Sequence, residues 1–310
     1  MLLLYYKAMY YKCIKTIRQT TIYYINYNFH LTRINDIQVK ARSMNRLEKK
    51  FVELKKLERK AFIAYITAGD PSLDSTVRLV REFEKQGVDC IELGVPFSDP
   101  IADGPVNQEA AMRALRNPIG IRQILDAVRE IRKDSEIPII FFAYYNSILS
   151  YGLEQFVLEA EKSGLDGALI LDLPPEEAGK YKLLMDAKGL STVFLVSPVT
   201  PDERLKLISQ YATGFIYYVS QMGVTGERDR IGESIPDMVA RIRKMTDTPV
   251  AVGFGISRPE HVIEIARYAD GVIVGSSIVR RIGENGDKSG FEKEVGQFVG
   301  TLTKPLGKAG

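Results

Sequence analysis

Phe62-Ile63-Ala64-Tyr65-Ile66-Thr67 is a short β-branched and aromatic run, and in residues 75–86 that follow it Val77, Leu79, Val80 and Phe83 recur at helical spacing. The first segment suits a buried strand and the second an amphipathic helix packed on it. Outward from this pair, the strand signal returns at residues 90–95, 138–144, 167–172, 192–197, 215–220, 250–254 and 271–275, with longer amphipathic segments between. Strands separated by helices pair in parallel through right-handed crossovers. Eight such units predict one α/β domain, a (β/α)8 TIM barrel, with a doubly wound sheet as the alternative. Residues 45–60, rich in Glu, Lys and Leu, predict an extra helix ahead of the first strand.

The 310 residues are 45% hydrophobic, with 42 Lys or Arg against 39 Asp or Glu, which excludes collagen-like, low-complexity and wholly disordered chains. The charge is uneven. Residues 1–43 carry seven basic side chains against Asp36 alone, leaving 35 basic and 38 acidic side chains in the rest. A slightly acidic body gives no electrostatic basis for binding nucleic acid. Cys13 and Cys90 are the only cysteines, too few for a zinc site or a disulfide framework, so the expected compartment is reducing and cytoplasmic.

Residues 1–43 hold tyrosine doublets at Tyr5-Tyr6, Tyr10-Tyr11 and Tyr23-Tyr24 and little periodicity, and their apolar opening stops at Lys7, too short for a signal peptide. No apolar run reaches the roughly 20 residues of a membrane span. The segment is expected to be an unstructured extension, with Met44 opening a catalytic domain over residues 44–310. A transit peptide, and with it a plastid location, is the alternative, although Ser43 is the segment's only serine.

In a barrel of this kind the chemistry sits at the carboxyl ends of the strands. The lysines of the body fall in helical segments or in loops away from those ends, and its only histidine is His261, so neither a Schiff-base lysine nor a histidine metal cluster is available there. Alternation in Cys90-Ile91-Glu92-Leu93-Gly94-Val95 turns Ile91, Leu93 and Val95 toward the helices and Glu92 into the barrel. A carboxylate there is either satisfied by a neighbouring hydroxyl or amide, or is a functional acid with a raised pKa. The stiff loop Pro96-Phe97-Ser98-Asp99-Pro100-Ile101-Ala102-Asp103-Gly104-Pro105 adds Asp99 and Asp103, each a turn former or an acid/base group. Asp103, 11 positions after Glu92, can face it across a bound molecule.

Gly253-Phe254-Gly255-Ile256-Ser257 closes the seventh run and Gly275-Ser276-Ser277 the eighth, opening a short helix. Glycines admit an anion close to backbone amides, a helix amino terminus favours it, and these two loops are the usual phosphate site of the fold. A phosphorylated substrate is expected. Gly223-Val224-Thr225-Gly226-Glu227-Arg228 opens a polar loop after the sixth run, either a plain loop or a lid.

With Thr67, Gly69-Asp70-Pro71 and the carboxylate and glycine motifs just quoted in order, the chain resembles the tryptophan synthase alpha subunit family over about residues 44–303. The resemblance implies a barrel that cleaves indole-3-glycerol phosphate to indole and glyceraldehyde 3-phosphate. It implies that Glu92 protonates indole carbon 3 and serves the chain hydroxyl, that Asp103 accepts from the indole nitrogen, and that Tyr217 is a catalytic, active-site tyrosine near Glu92. Gly226, Gly255, Gly275 and Ser276 are implied to hold phosphate, and Tyr65, Phe142, Leu169, Leu171 and Phe254 to enclose the indole. Tyr65 stands where Phe is common in the family. Thr225 in the lid is implied to partner Asp103, and Asp99 to face a beta subunit in an alpha2beta2 heterotetramer. Neither a metal nor a cofactor is implied in this chain, pyridoxal phosphate being carried by the beta subunit. A free-standing lyase that releases indole is the alternative.

Overall fold

The computed structural model describes residues 44–220, 234–253 and 255–307. The eight strands are β1 Ala61–Thr67, β2 Cys90–Gly94, β3 Ile139–Ala143, β4 Gly167–Ile170, β5 Ser191–Val196, β6 Ile216–Val219, β7 Val250–Gly253 and β8 Gly271–Val274. Each pairs in parallel with the next, and β8 pairs with β1, so the sheet closes into a barrel and the doubly wound alternative falls away. The expected runs match the strands to within two residues. The largest difference is after β4, where the last register pair is Ala143 with Ile170. Leu171 adds one further backbone bond to Ala143 and the chain then turns, so Leu171 and Asp172 cap the barrel instead of extending a strand.

The two strand faces bury different clusters. Ile91, Leu93 and Val95 join Val80, Phe83 and Ile124 in the apolar layer between strands and helices. Ile63, Cys90, Ile140, Leu169, Val193 and Ile273 fill the barrel interior together with Leu47, Phe51 and Leu54 of the helix Arg46–Lys56. That helix is the expected extra one. Asn45 and Glu48 form a reciprocal capping box, each side chain taking the other's backbone N–H at 3.1 Å. The Asn45 amide also donates to the Asp166 carbonyl at 3.0 Å and to Ser191 Oγ at 2.8 Å, which ties the helix to the amino ends of β4 and β5. Phe51 meets Phe215 at a ring distance of 5.8 Å, and removing such a ring costs about 3–5 kcal/mol.

Four two-bond clasps close the amino end of the barrel. Asp89 gives its N–H to the Phe62 carbonyl at 2.9 Å while its carboxylate accepts the Phe62 N–H at 2.8 Å. Asp166 does the same with Ile139 at 2.9 and 2.9 Å, and Asp270 with Val250 at 2.8 and 3.0 Å. Thr213 repeats the arrangement with its hydroxyl, at 2.8 and 2.9 Å to Thr192. The four clasping residues precede β2, β4, β8 and β6, so each fixes the register of an even strand on its odd neighbour.

Candidate active site

Glu92 is fully buried on the inner face of β2, in register with Tyr65 of β1 and Ile140 of β3. Neither of its carboxylate oxygens has a hydrogen-bond partner among the described residues. Burial without compensation disfavours the charged form and pushes its pKa up to about 8. Two tyrosines stand over it by the same device. Tyr65 lies across Gly94 and Tyr217 across Gly253, and a Cβ at either glycine would come within 2.4 Å of the phenol oxygen. Only glycine at these strand ends lets the rings fold inward. Burial holds both phenols above their ordinary pKa, with a further rise from Asp103 at Tyr65 and from Glu92 at Tyr217.

Asp103 closes a turn in which its N–H donates to the Pro100 carbonyl at 3.0 Å, and Gly104 and Pro105 then start the helix Pro105–Ala114. The Tyr144 hydroxyl, at the end of β3, donates to Asp103 Oδ2 at 3.0 Å and accepts the Ala102 N–H at 3.0 Å. Phe97 stacks on the Tyr144 ring at 5.0 Å, and the Gln108 amide donates to the Asp103 carbonyl at 2.8 Å. Burial raises the Asp103 carboxyl above its ordinary value, while hydrogen bonds from Tyr144 and Asn107 favour the ionised form and limit the rise. Asp99 is exposed, accepts from Ser98 Oγ at 2.7 Å and stands apart from Asp103 on the surface of the same loop.

Two cavities open above this pair of carboxylates. One, of about 570 Å³, is walled by Asp103, Leu171, Phe194 and Leu195, and has Arg204 at its edge. The other, of about 160 Å³, runs between Tyr65 and the backbone of Gly255, Gly275 and Ser276. They share Asn107, Phe142, Tyr217 and Val219 as a common wall. Gly275 caps the helix Ser276–Asn285, and Ser277 Oγ donates to the Ile256 carbonyl at 2.7 Å, holding the loop after β7 against that helix. First-turn amides have no partner within a helix, so this end suits an anion.

Of the expected site residues, Tyr65, Asp103, Phe142, Leu171, Tyr217, Gly255, Gly275 and Ser276 line the cavities. Leu169 does not: it is fully buried one layer below, against Ile140 and Val193, because only the residue two positions on, Leu171, clears the strand end. Glu92 lines neither cavity: it is fully buried on β2, in register with Tyr65, which walls the smaller one. Thr225, Gly226 and Phe254 lie outside the described residues.

Three features lie outside the carboxylate and glycine motifs: Tyr144, Asn107 and an ion pair that braces both ends of the site. Asp70, 2% exposed after β1, accepts both Nε and Nη2 of Arg113 at 2.9 and 2.7 Å. Arg113 belongs to the helix carrying Asn107, and its guanidinium passes over Gly283 of the helix that Gly275 caps, where a Cβ would approach it to 2.8 Å. The signal in sequence was Gly69-Asp70-Pro71 at a strand end. Among the described residues no group of three His, Cys, Asp or Glu could hold a metal, and no helix is long and apolar enough to cross a membrane.

Residues 51–304 match the family pattern of the tryptophan synthase alpha chain. The tryptophan synthase alpha chain of Solibacter usitatus is 45% identical over 264 residues, covering 85% of this chain and 99% of the relative. That of Geobacter sulfurreducens is 44% identical over 264 residues, covering 85% and 100%. Among solved structures, tryptophan synthase subunit alpha from Legionella pneumophila superposes with a TM-score of 0.78 at 37% identity, covering 86% of this chain and all of that one. A chain of the tryptophan synthase a2b2 complex of Pyrococcus furiosus, solved for the mutual activation of that complex, gives 0.75 at 41% identity, covering 79% and 99%. With a closed eightfold barrel and this degree of identity along its length, the chain belongs to the tryptophan synthase alpha chain family.

Proposed function

We propose that residues 44–310 form a lyase domain that cleaves indole-3-glycerol phosphate to indole and D-glyceraldehyde 3-phosphate and passes the indole to a beta subunit in an alpha2beta2 heterotetramer. The observation that carries the residue assignment is Glu92, buried with both oxygens unpartnered among the described residues and next in register to Tyr65, on the wall of a two-part cavity that Asp103 also lines. The wider part suits the ring, and the narrower, glycine-lined part suits the phosphate.

A proton placed on ring carbon 3 turns the indole into an electron sink with positive charge at its nitrogen. Loss of the proton from the hydroxyl on the adjoining chain carbon then breaks the bond between that carbon and the ring. The bonding electrons return to the ring, and the chain carbon becomes the aldehyde. Glu92, with a pKa near 8, is protonated at neutral pH and can give the first proton and help remove the second. Asp103, held by Tyr144, accepts from the ring N–H and answers the charge that develops there. Tyr217 packs beside Glu92 and fixes the floor under the ring. Every proton and electron pair in this sequence is accounted for without a cofactor on this chain, and pyridoxal phosphate belongs to the beta subunit's reaction. The proposed setting is the cytoplasm.

The loop of Asp99 and Ile101, the latter 90% exposed, faces outward from the carboxyl end of the barrel and is the proposed contact with the beta subunit. The test is indole and triose phosphate release from indole-3-glycerol phosphate by the full chain, with and without a tryptophan synthase beta subunit. Slow cleavage that the partner accelerates is expected. Fast cleavage alone would indicate a free-standing lyase, and no cleavage in either condition would sink the assignment.

A further inference from the structure

Asn107, in the first turn of the helix Pro105–Ala114, is one of four residues that wall both cavities. Its amide hydrogen-bonds Asp103, which leaves the carbonyl oxygen Oδ1 buried without a partner among the described residues. A buried acceptor left unpaired is costly, and one on a cavity wall suits a donor from a bound molecule. Of the other three shared walls, Phe142 and Val219 bring apolar side chains and the Tyr217 hydroxyl lies against Gly253, so Asn107 Oδ1 is the buried acceptor on that wall with no partner among the described residues. Asn107 is also rigidly held, its N–H donating to the Gly104 carbonyl at 3.0 Å.

Taking the lyase activity proposed above as given, we propose that Asn107 Oδ1 accepts a hydrogen bond from the middle hydroxyl of the substrate's three-carbon chain. A ligand with its ring in the wide cavity and its phosphate at Gly275 must cross the shared wall with that chain. The hydroxyl beside the ring is turned toward Glu92, and the middle hydroxyl is the donor left to meet the amide oxygen. Asn107 thereby selects a hydroxylated linker while its Nδ2 keeps Asp103 aimed at the ring.

The test is calorimetric binding of two unreactive ligands to the full chain. One is 3-(indol-3-yl)propyl phosphate, which lacks both hydroxyls, and the other is 2-hydroxy-3-(indol-3-yl)propyl phosphate, which keeps only the middle one. The wild type should prefer the hydroxylated ligand about tenfold, and Asn107→Leu should abolish the preference, the ratio of the two affinities being the readout because the lost hold on Asp103 weakens both ligands alike. Asn107→Ala should lose the preference too, and serves if the Leu variant does not fold. A preference that survives in the variants, whether or not both ligands bind less tightly, or no preference in the wild type would overturn the proposal. A wild type that binds neither ligand would overturn the lyase assignment and this inference with it.

Discussion

Asp166 at the amino end of the barrel and Glu92 near its carboxyl end are both carboxylates with at most 1% exposure, and burial raises both pKa values. For Asp166 the rise is opposed by Arg132, by the Ile139 N–H and by Arg46. Glu92 has burial alone. The amino end thus spends its carboxylates on register: Asp89, Asp166 and Asp270 each clasp a neighbouring strand, and Arg132, itself 9% exposed, pairs with Asp166 at 2.9 Å. The carboxyl end leaves an acid and, on a cavity wall, an amide oxygen unpartnered among the described residues. One end holds the barrel closed, and the other keeps polar atoms ready for something that is not protein.

Asp166→Ala should break the amino end hardest. It leaves the buried Arg132 charge without its carboxylate, although three backbone carbonyls still accept from that guanidinium, and strips the Ile139 N–H of its acceptor, so urea unfolding should show a loss of about 3–5 kcal/mol while kcat of the folded fraction holds. Equal loss of kcat would mean that the two ends are not separable. Glu92→Gln should do the reverse, with indole formation falling at least about a hundredfold in a folded barrel. If the wild type turns over no faster than this variant, Glu92 is not the acid.

The third expectation concerns pH. The folded chain holds the Glu92 proton up to about pH 8, whereas an ordinary glutamate releases it near 4.5. Between those values the native state binds more protons than the unfolded one, so rising pH destabilises it, by at most about 1.4 kcal/mol per pH unit from this group. Unfolding of wild type and Glu92→Gln should therefore diverge from pH 5 to pH 8, the variant becoming the more stable. Parallel curves would contradict this. The smallest effect belongs to Thr213→Val, which removes the one neutral clasp and should cost about 1 kcal/mol with activity unchanged, as thermal melts and steady-state rates would show.

Much of this contrast could be anticipated from local pattern. The β-branched runs set the strand count, and strict alternation in Cys90-Ile91-Glu92-Leu93 sent Glu92 inward, because a strand has only two faces. Depth was not legible: Leu169 and Leu171 share a face, and only the closed barrel shows that one is floor and the other is wall. Nor were partners distant along the chain, such as Tyr144 for Asp103 at a separation of 41 residues and Arg113 for Asp70 at 43. The clasps had left a trace, an aspartate immediately before β2, β4 and β8, which reads as ordinary turn chemistry until the strands are paired.

The most direct test is the titration of the Glu92 carboxyl itself, as the infrared difference between wild type and Glu92→Gln from pH 4 to pH 9. A protonated carboxyl band that persists through neutrality and half-disappears near pH 8 is the result predicted. A band lost near pH 4.5 would mean that Glu92 has a partner or solvent, and that the two ends of the barrel treat their carboxylates alike.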